Sequence, residues 1–191
     1  MEQHKFAYAS GYYSLAIPDE LIDLIVAEVE NIKFEQFHES SVGADGSTSV
    51  YPEVRNSKTA WWYEDHWVTS IFAHYFNKAN RDFWEYDLTY LKGIQVTKYD
   101  KGDKYEWHCD YGAELDNRHT RKLSATMLIT DPTEFKGGDL EIIDYSGNTI
   151  TAEKTKGTMI IFDSRSPHRV TPVTKGTRIS LVAWMLGPKL R

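Results

Sequence analysis

The chain has 191 residues, 41% hydrophobic and 26% charged, which suits one soluble globular domain with a buried core and excludes a disordered chain. A net charge of −6 gives no long-range attraction for phosphate backbones or anionic membranes, so a nucleic-acid substrate is disfavoured, and no apolar run is long enough to cross a bilayer. One cysteine allows no internal disulfide and the start MEQHKFAYAS has no apolar signal core, so a cytoplasmic protein is expected.

Ile17-Pro18-Asp19-Glu20 opens a helix, with proline and two acids in its first turn. Leu21, Ile22, Leu24, Ile25, Val26 and Val29 then carry a broad apolar stripe to about Asn31. Residues 39–49 are rich in Gly and Ser and read as an exposed loop. A second helix is predicted over Asp65–Asn77, burying Trp67, Ile71, Phe72, Tyr75 and Phe76. Beyond Phe83 the chain changes to short runs at strand spacing: 87–99, 105–110, 123–130, 139–143, 158–162, 168–170 and 178–185. Glycine turns such as Lys136-Gly137-Gly138 separate several of them. Helices followed by many short strands give an α+β fold, a two-sheet sandwich or jelly roll with the N-terminal helices packed on one sheet. One domain over 1–191 is expected, with 1–85 mainly helical support and 86–188 the β core.

The triplet His108-Cys109-Asp110 is the informative one among the seven histidine sites. On a strand, residues i and i+2 share a face, so His108 and Asp110 can offer an imidazole nitrogen and a carboxylate oxygen to one ion while Cys109 points away. The natural third ligand is His168, behind Ser166-Pro167 at the head of a strand. Two histidines and a carboxylate form the facial triad of non-haem Fe(II), which leaves positions open for other ligands. Alone, the triplet more often marks a histidine held by a neighbouring carboxylate. The last forty residues change that weighting. Arg178, Ser180, Val182 and Trp184 share one face of the closing strand, and three of the four suit a core. Arg178 needs an anion there, either a core carboxylate or a small dianionic ligand that it clamps.

The pattern resembles the Fe(II)- and 2-oxoglutarate-dependent dioxygenases, and most of all their prolyl-4-hydroxylase branch with its PKHD-type hydroxylases. The resemblance covers about residues 88–188. It rests on Tyr99-x-x-Gly102-x-x-Tyr105-x-x-His108-x-Asp110, on 121–128, on Gly137-Gly138-Asp139-Leu140, and on Pro167-His168-Arg169-Val170 through Gly176-Thr177-Arg178. It implies a double-stranded β-helix core, with His108, Asp110 and His168 as Fe(II) ligands. It also implies that Arg178 holds the distal carboxylate of 2-oxoglutarate, helped by Tyr99. Leu128 stands where relatives place Thr or Tyr near that carboxylate, and Thr126 or another hydroxyl is the alternative. Tyr105 and Trp184 match positions lining a substrate-proline pocket, and Arg121 a basic residue that contacts peptide.

The implied reaction is hydroxylation of a C–H bond at the expense of O₂ and 2-oxoglutarate, which leaves as succinate, with ascorbate as a reductant. Prolyl C4 in a peptide or protein is the implied target. In related halogenating enzymes a small residue replaces the carboxylate, so Asp110 favours hydroxylation. The nucleic-acid demethylase branch usually carries a second arginine where Trp184 stands, which weighs against repair. Two alternatives stay open: the same chemistry on a free amino acid or other small molecule, and a non-catalytic module that only binds metal or ligand. The segments 39–57 and Glu114–His119 are candidate lids or peptide-gripping loops.

Overall fold

The computed structural model describes residues 11–41, 49–112 and 118–189. In chain order the elements are β1 Tyr12–Ala16, α1 Asp19–Glu30, β2 His38–Glu39, β3 Arg55–Asn56, β4 Lys58–Tyr63, α2 Trp67–Ala79, β5 Tyr90–Tyr99, β6 Lys104–His108 and β7 His119–Leu128. Then come β8 Lys136–Gly137, β9 Leu140–Ile143, β10 Thr149–Thr151, β11 Thr158–Asp163, β12 His168–Val170, β13 Val173–Lys175 and β14 Arg178–Pro188. A seven-stranded sheet runs β1-β11-β7-β14-β5-β4-β2, and a five-stranded one runs β10-β9-β12-β6-β3. β13 and β8 form a separate pair.

Strand alternation sorts the larger sheet into two faces. Ile94 and Val96 of β5, Leu123, Ala125 and Met127 of β7, and Leu181 and Ala183 of β14 join one apolar cluster with both helices. Ile22, Ile25 and Val29 of α1 and Val68, Phe72 and Phe76 of α2 supply the helical side, and each fully buried phenylalanine contributes about 2 kcal/mol or more. The alternate residues, among them Gln95, Tyr99, Thr126, Ser180, Val182 and Trp184, line a cavity on the other face. That cavity also takes residues of the smaller sheet, including Arg55, Tyr105, His108 and His168. The same strands thus build a dry core on one side and a polar-lined chamber on the other.

Several expectations need correcting. The described residues before 86 are not helix alone: besides α1 and α2 they add β1 to an edge of the larger sheet and β4 against β5. Lys-Thr-Ala-Trp-Trp-Tyr suits a strand through its aromatic and β-branched side chains, while β2 and β3 are too short to show any periodicity. Trp67 is exposed, not buried, because its indole N–H reaches out to Glu28 at 3.0 Å. Leu24 is exposed too, since the buried stripe of α1 narrows to Ile22, Ile25 and Val29 at helical spacing. Most of the predicted 39–49 loop, at 42–48, lies outside the described residues, and so do residues 114–117 of the segment expected at Glu114–His119. Among the described residues no helix is long and apolar enough to cross a membrane.

Candidate active site

The two imidazoles meet through sheet pairing. β6 and β12 run antiparallel in the smaller sheet with His108 opposite His168, and the ring centroids lie 4.2 Å apart. β6 ends at His108, earlier than the sequence suggested, because the N–H groups of Asp110 and Tyr111 leave the strand ladder. Both donate to the carbonyl of Ser164, at 2.9 and 2.8 Å. That turn swings the Asp110 carboxylate under the imidazoles, with Oδ1 3.8 Å from His108 Nε2 and Oδ2 3.4 Å from His168 Nε2. Ligand atoms of the three residues all lie within 4.8 Å of one another. The thiol of Cys109 turns instead to the carbonyl of Arg165 at 3.3 Å.

Hydrogen bonds fix the protons on this cluster. The Nδ1 of His108 lies 2.7 Å from the carbonyl of Glu106, and that of His168 lies 3.0 Å from the carbonyl of Ser166. A carbonyl can only accept, so each Nδ1 carries the hydrogen, and in the neutral ring it is Nε2 that faces the shared space with a lone pair. Burial, reinforced by the neighbouring His168, pushes the His108 imidazolium down to about 4. Burial pushes the Asp110 carboxyl up, but His168, Arg121 and His108 outweigh it and hold it down at about 2. The hydroxyl of Ser124 donates to its Oδ2 at 2.7 Å, and the Arg121 guanidinium lies 3.6 Å from Oδ1. Two neutral nitrogens and one carboxylate oxygen, each oriented from behind, are a donor set that fits a ferrous ion.

The cavity holds about 480 Å³. Arg178 heads β14 opposite Tyr99 and is 5% exposed. Its Nη1 donates to Ser180 Oγ at 2.7 Å, its guanidinium lies 5.5 Å from the Tyr99 ring centroid, and burial lowers its pKa. No carboxylate among the described residues pairs with it, which leaves it fit to receive one end of a dicarboxylate such as 2-oxoglutarate. Gly138 gives it room: a Cβ there would come 2.8 Å from Arg178 Cδ. Thr126 lines both the main cavity and a small one behind Arg178, while Leu128 lines only the latter.

The remaining expected residues, Arg121, Trp184 and Tyr105, line the same cavity. A register shift between β7 and β14 pairs Leu123 with Met185 but Arg121 with Leu186, so Lys122 is extra and Arg121 turns onto the cavity face. There its guanidinium lies 3.9 Å over the Trp184 ring. The indole N–H of Trp184 is buried near Asp110 but falls outside hydrogen-bond geometry. The Tyr105 ring stacks flat on His108, 3.5 Å between centroids, and burial pushes its hydroxyl up to about 12. Trp61 stands 6.1 Å from Trp184, centroid to centroid. Trp61 and Arg55 are among the lining residues that escaped the sequence reading. They lie some forty to fifty positions before His108, in a stretch read partly as a loop. The available signal was Arg55-x-Ser57 running into the aromatic strand Ala60-Trp61-Trp62-Tyr63.

A family model described as the 2OG-Fe(II) oxygenase superfamily matches residues 94–186. A PKHD-type hydroxylase of Cupriavidus metallidurans is 34% identical over 92 residues, which cover 46% of this chain and 40% of that protein. The chain therefore spans less than half the length of the curated relatives it matches. A Pseudomonas putida prolyl-4-hydroxylase shares the fold with a TM-score of 0.71 at 19% identity, over 92% of each chain. A Trichoplax adhaerens prolyl hydroxylase, solved with a hypoxia inducible factor peptide fragment, gives 0.71 at 18% identity, over 93% of this chain and 84% of that one. The matched segment is the one that contains the His108–Asp110–His168 cluster and Arg178, and over that segment the chain is similar to the 2OG-Fe(II) oxygenase superfamily.

Proposed function

We propose that this chain is an Fe(II)- and 2-oxoglutarate-dependent dioxygenase that hydroxylates a prolyl residue, at C4, in a peptide or protein. One observation carries the reading. A buried guanidinium with no carboxylate partner among the described residues shares its chamber with two imidazole nitrogens and a carboxylate gathered within 4.8 Å. The two sheets are then the halves of a double-stranded β-helix, and 1–191 a single domain. The composition that suggested a cytoplasmic location remains the support for it.

In this reading His108, Asp110 and His168 hold the ferrous ion, while Arg178 and Tyr99 hold the far carboxylate of 2-oxoglutarate. When bound, the iron and co-substrate supply oxygen activation and C–H hydroxylation, with succinate and CO₂ as co-products. The chain supplies position. Arg178 fixes one end of the co-substrate by charge-assisted hydrogen bonds, and the β14 face of Ser180, Val182 and Trp184 shapes the space between it and the metal ligands. Trp184, Trp61 and Tyr105 offer flat apolar surfaces to a compact ring. An adjoining apolar cavity of about 280 Å³, lined by Trp61, Tyr63, Trp184 and Leu186, gives a flanking chain somewhere to lie. That cavity favours a peptide over a free amino acid.

The test is incubation of a proline-bearing peptide library with the protein, Fe(II), 2-oxoglutarate, ascorbate and air. The expected result is one added oxygen on a prolyl residue, matched mole for mole by succinate. Succinate without any oxidised peptide, together with an oxidised small molecule, moves the substrate to the small-molecule class. No succinate under any condition refutes the oxygenase reading.

A further inference from the structure

Three guanidinium groups line the main cavity, those of Arg55, Arg121 and Arg178, against the single carboxylate of Asp110 among the described residues. The oxygenase reading occupies Arg178 with co-substrate. The other two are held by other partners, Arg121 over the Trp184 ring and Arg55 at Gln95. Arg55 donates from Nη2 to Gln95 Oε1 at 2.7 Å, and Gln95 precedes Tyr99 by four residues on β5, roughly 13 Å of strand.

Arg55 is 7% exposed, yet its partners are all neutral. Nε donates to Ser57 Oγ at 3.2 Å, Nη2 to Gln95, and the guanidinium lies 4.7 Å from the Tyr105 ring centroid. Nη1 makes no hydrogen bond among the described residues, and no carboxylate pairs with the group. Arg121 is little better served: Asp110 stands 3.6 Å from its Nη1, and its Nε is buried without a partner. Buried cations left with neutral partners are costly. Loading does not remove the imbalance, because a ferrous ion and a dicarboxylate dianion cancel. Asp110 offsets one of the three guanidiniums, and two positive charges remain for the substrate.

We infer that Arg55 and Arg121 form a carboxylate subsite beside Trp61 and Trp184, so that the substrate carries an anionic carboxylate next to the group it presents to the metal ligands. The inference rests on the oxygenase reading and narrows its substrate class. The carboxylate has two possible sources: the α-carboxylate of a free or C-terminal residue, or an Asp or Glu side chain flanking the target.

Two probe pairs of nearly equal shape and different charge separate these sources. N-acetyl-L-proline is compared with N-acetyl-L-prolinamide, and N-acetyl-Pro-Asp-amide with N-acetyl-Pro-Asn-amide. Each is titrated calorimetrically into protein loaded with Fe(II) and 2-oxoglutarate without oxygen. The acid of at least one pair is expected to bind tenfold tighter than its amide, about 1.4 kcal/mol. The pair that shows the preference names the source. Arg55→Gln should bring that ratio to near one, and Arg55→Lys should keep part of it. Equal affinities within both pairs, binding by no probe, or a preference untouched by Arg55→Gln overturns the subsite. Binding of 2-oxoglutarate is measured in the same series. If it binds and the acid preference is absent, the subsite alone fails; if it does not bind, the functional reading fails on its own account.

Discussion

Replacing Arg178 by methionine separates binding from stability, because the guanidinium contributes to the two with different signs. In the ligand-free protein it is 5% exposed, and among the described residues it has only a hydroxyl and an aromatic face as partners. Burial disfavours its charge, and nothing of opposite sign compensates at close range. Methionine fills similar space without that penalty, at the loss of the bond to Ser180 Oγ. Stability in urea should therefore stay within about 1 kcal/mol of wild type or rise. Co-substrate binding should suffer instead. Two charge-assisted hydrogen bonds to a carboxylate, at roughly 1.5–3 kcal/mol each, put the loss at about 3–6 kcal/mol, more than 100-fold in Kd. Calorimetric titration with 2-oxoglutarate and urea unfolding measure the two effects on one preparation. An affinity within about threefold of wild type, or a stability loss above about 3 kcal/mol, would show that Arg178 is a structural pillar rather than a receptor.

Further outcomes follow from the same geometry. The His108 imidazolium falls from its ordinary 6.5 to about 4 on folding, so the unfolded chain takes up the proton first. Metal-free stability is then full above pH 6.5 and falls as pH drops towards 4, by on the order of 3 kcal/mol; urea titrations at several pH values check this, and a flat profile contradicts it. Asp110, held at about 2 against an ordinary 3.8, continues the loss in the same direction between those values. Gly138→Ala places a side chain at φ +61° and 2.8 Å from Arg178 Cδ. It should cost about 1–2 kcal/mol in backbone strain and raise the 2-oxoglutarate KM roughly tenfold by displacing the guanidinium; an unchanged KM would detach the glycine turn from the arginine.

What the sequence disclosed tracks the range over which its patterns act. Period-two alternation put Arg178, Ser180, Val182 and Trp184 on one face, and all four line the chamber. The spacing of His108 and Asp110 was informative although the strand ends between them, since the Ser164 carbonyl captures the backbone just where alternation stops. His168 could be nominated but not placed, because its pairing opposite His108 is a sheet register that no local pattern encodes. Arg55 shows the limit most clearly. Its partners Gln95 and Tyr105 lie forty and fifty residues away, and its strand is two residues long, too short for any periodicity. The inward turn of Arg121 likewise depends on one extra residue in β7 relative to β14, visible only when both strands are paired.

The account stands on three side chains binding one metal ion, and anaerobic titration with Fe(II) addresses that directly. Wild-type protein should bind one equivalent per chain, and Asp110→Ala, with its far-ultraviolet circular dichroism unchanged, should bind none tightly. Equal stoichiometry and affinity in both proteins, or no binding by wild type, would contradict it.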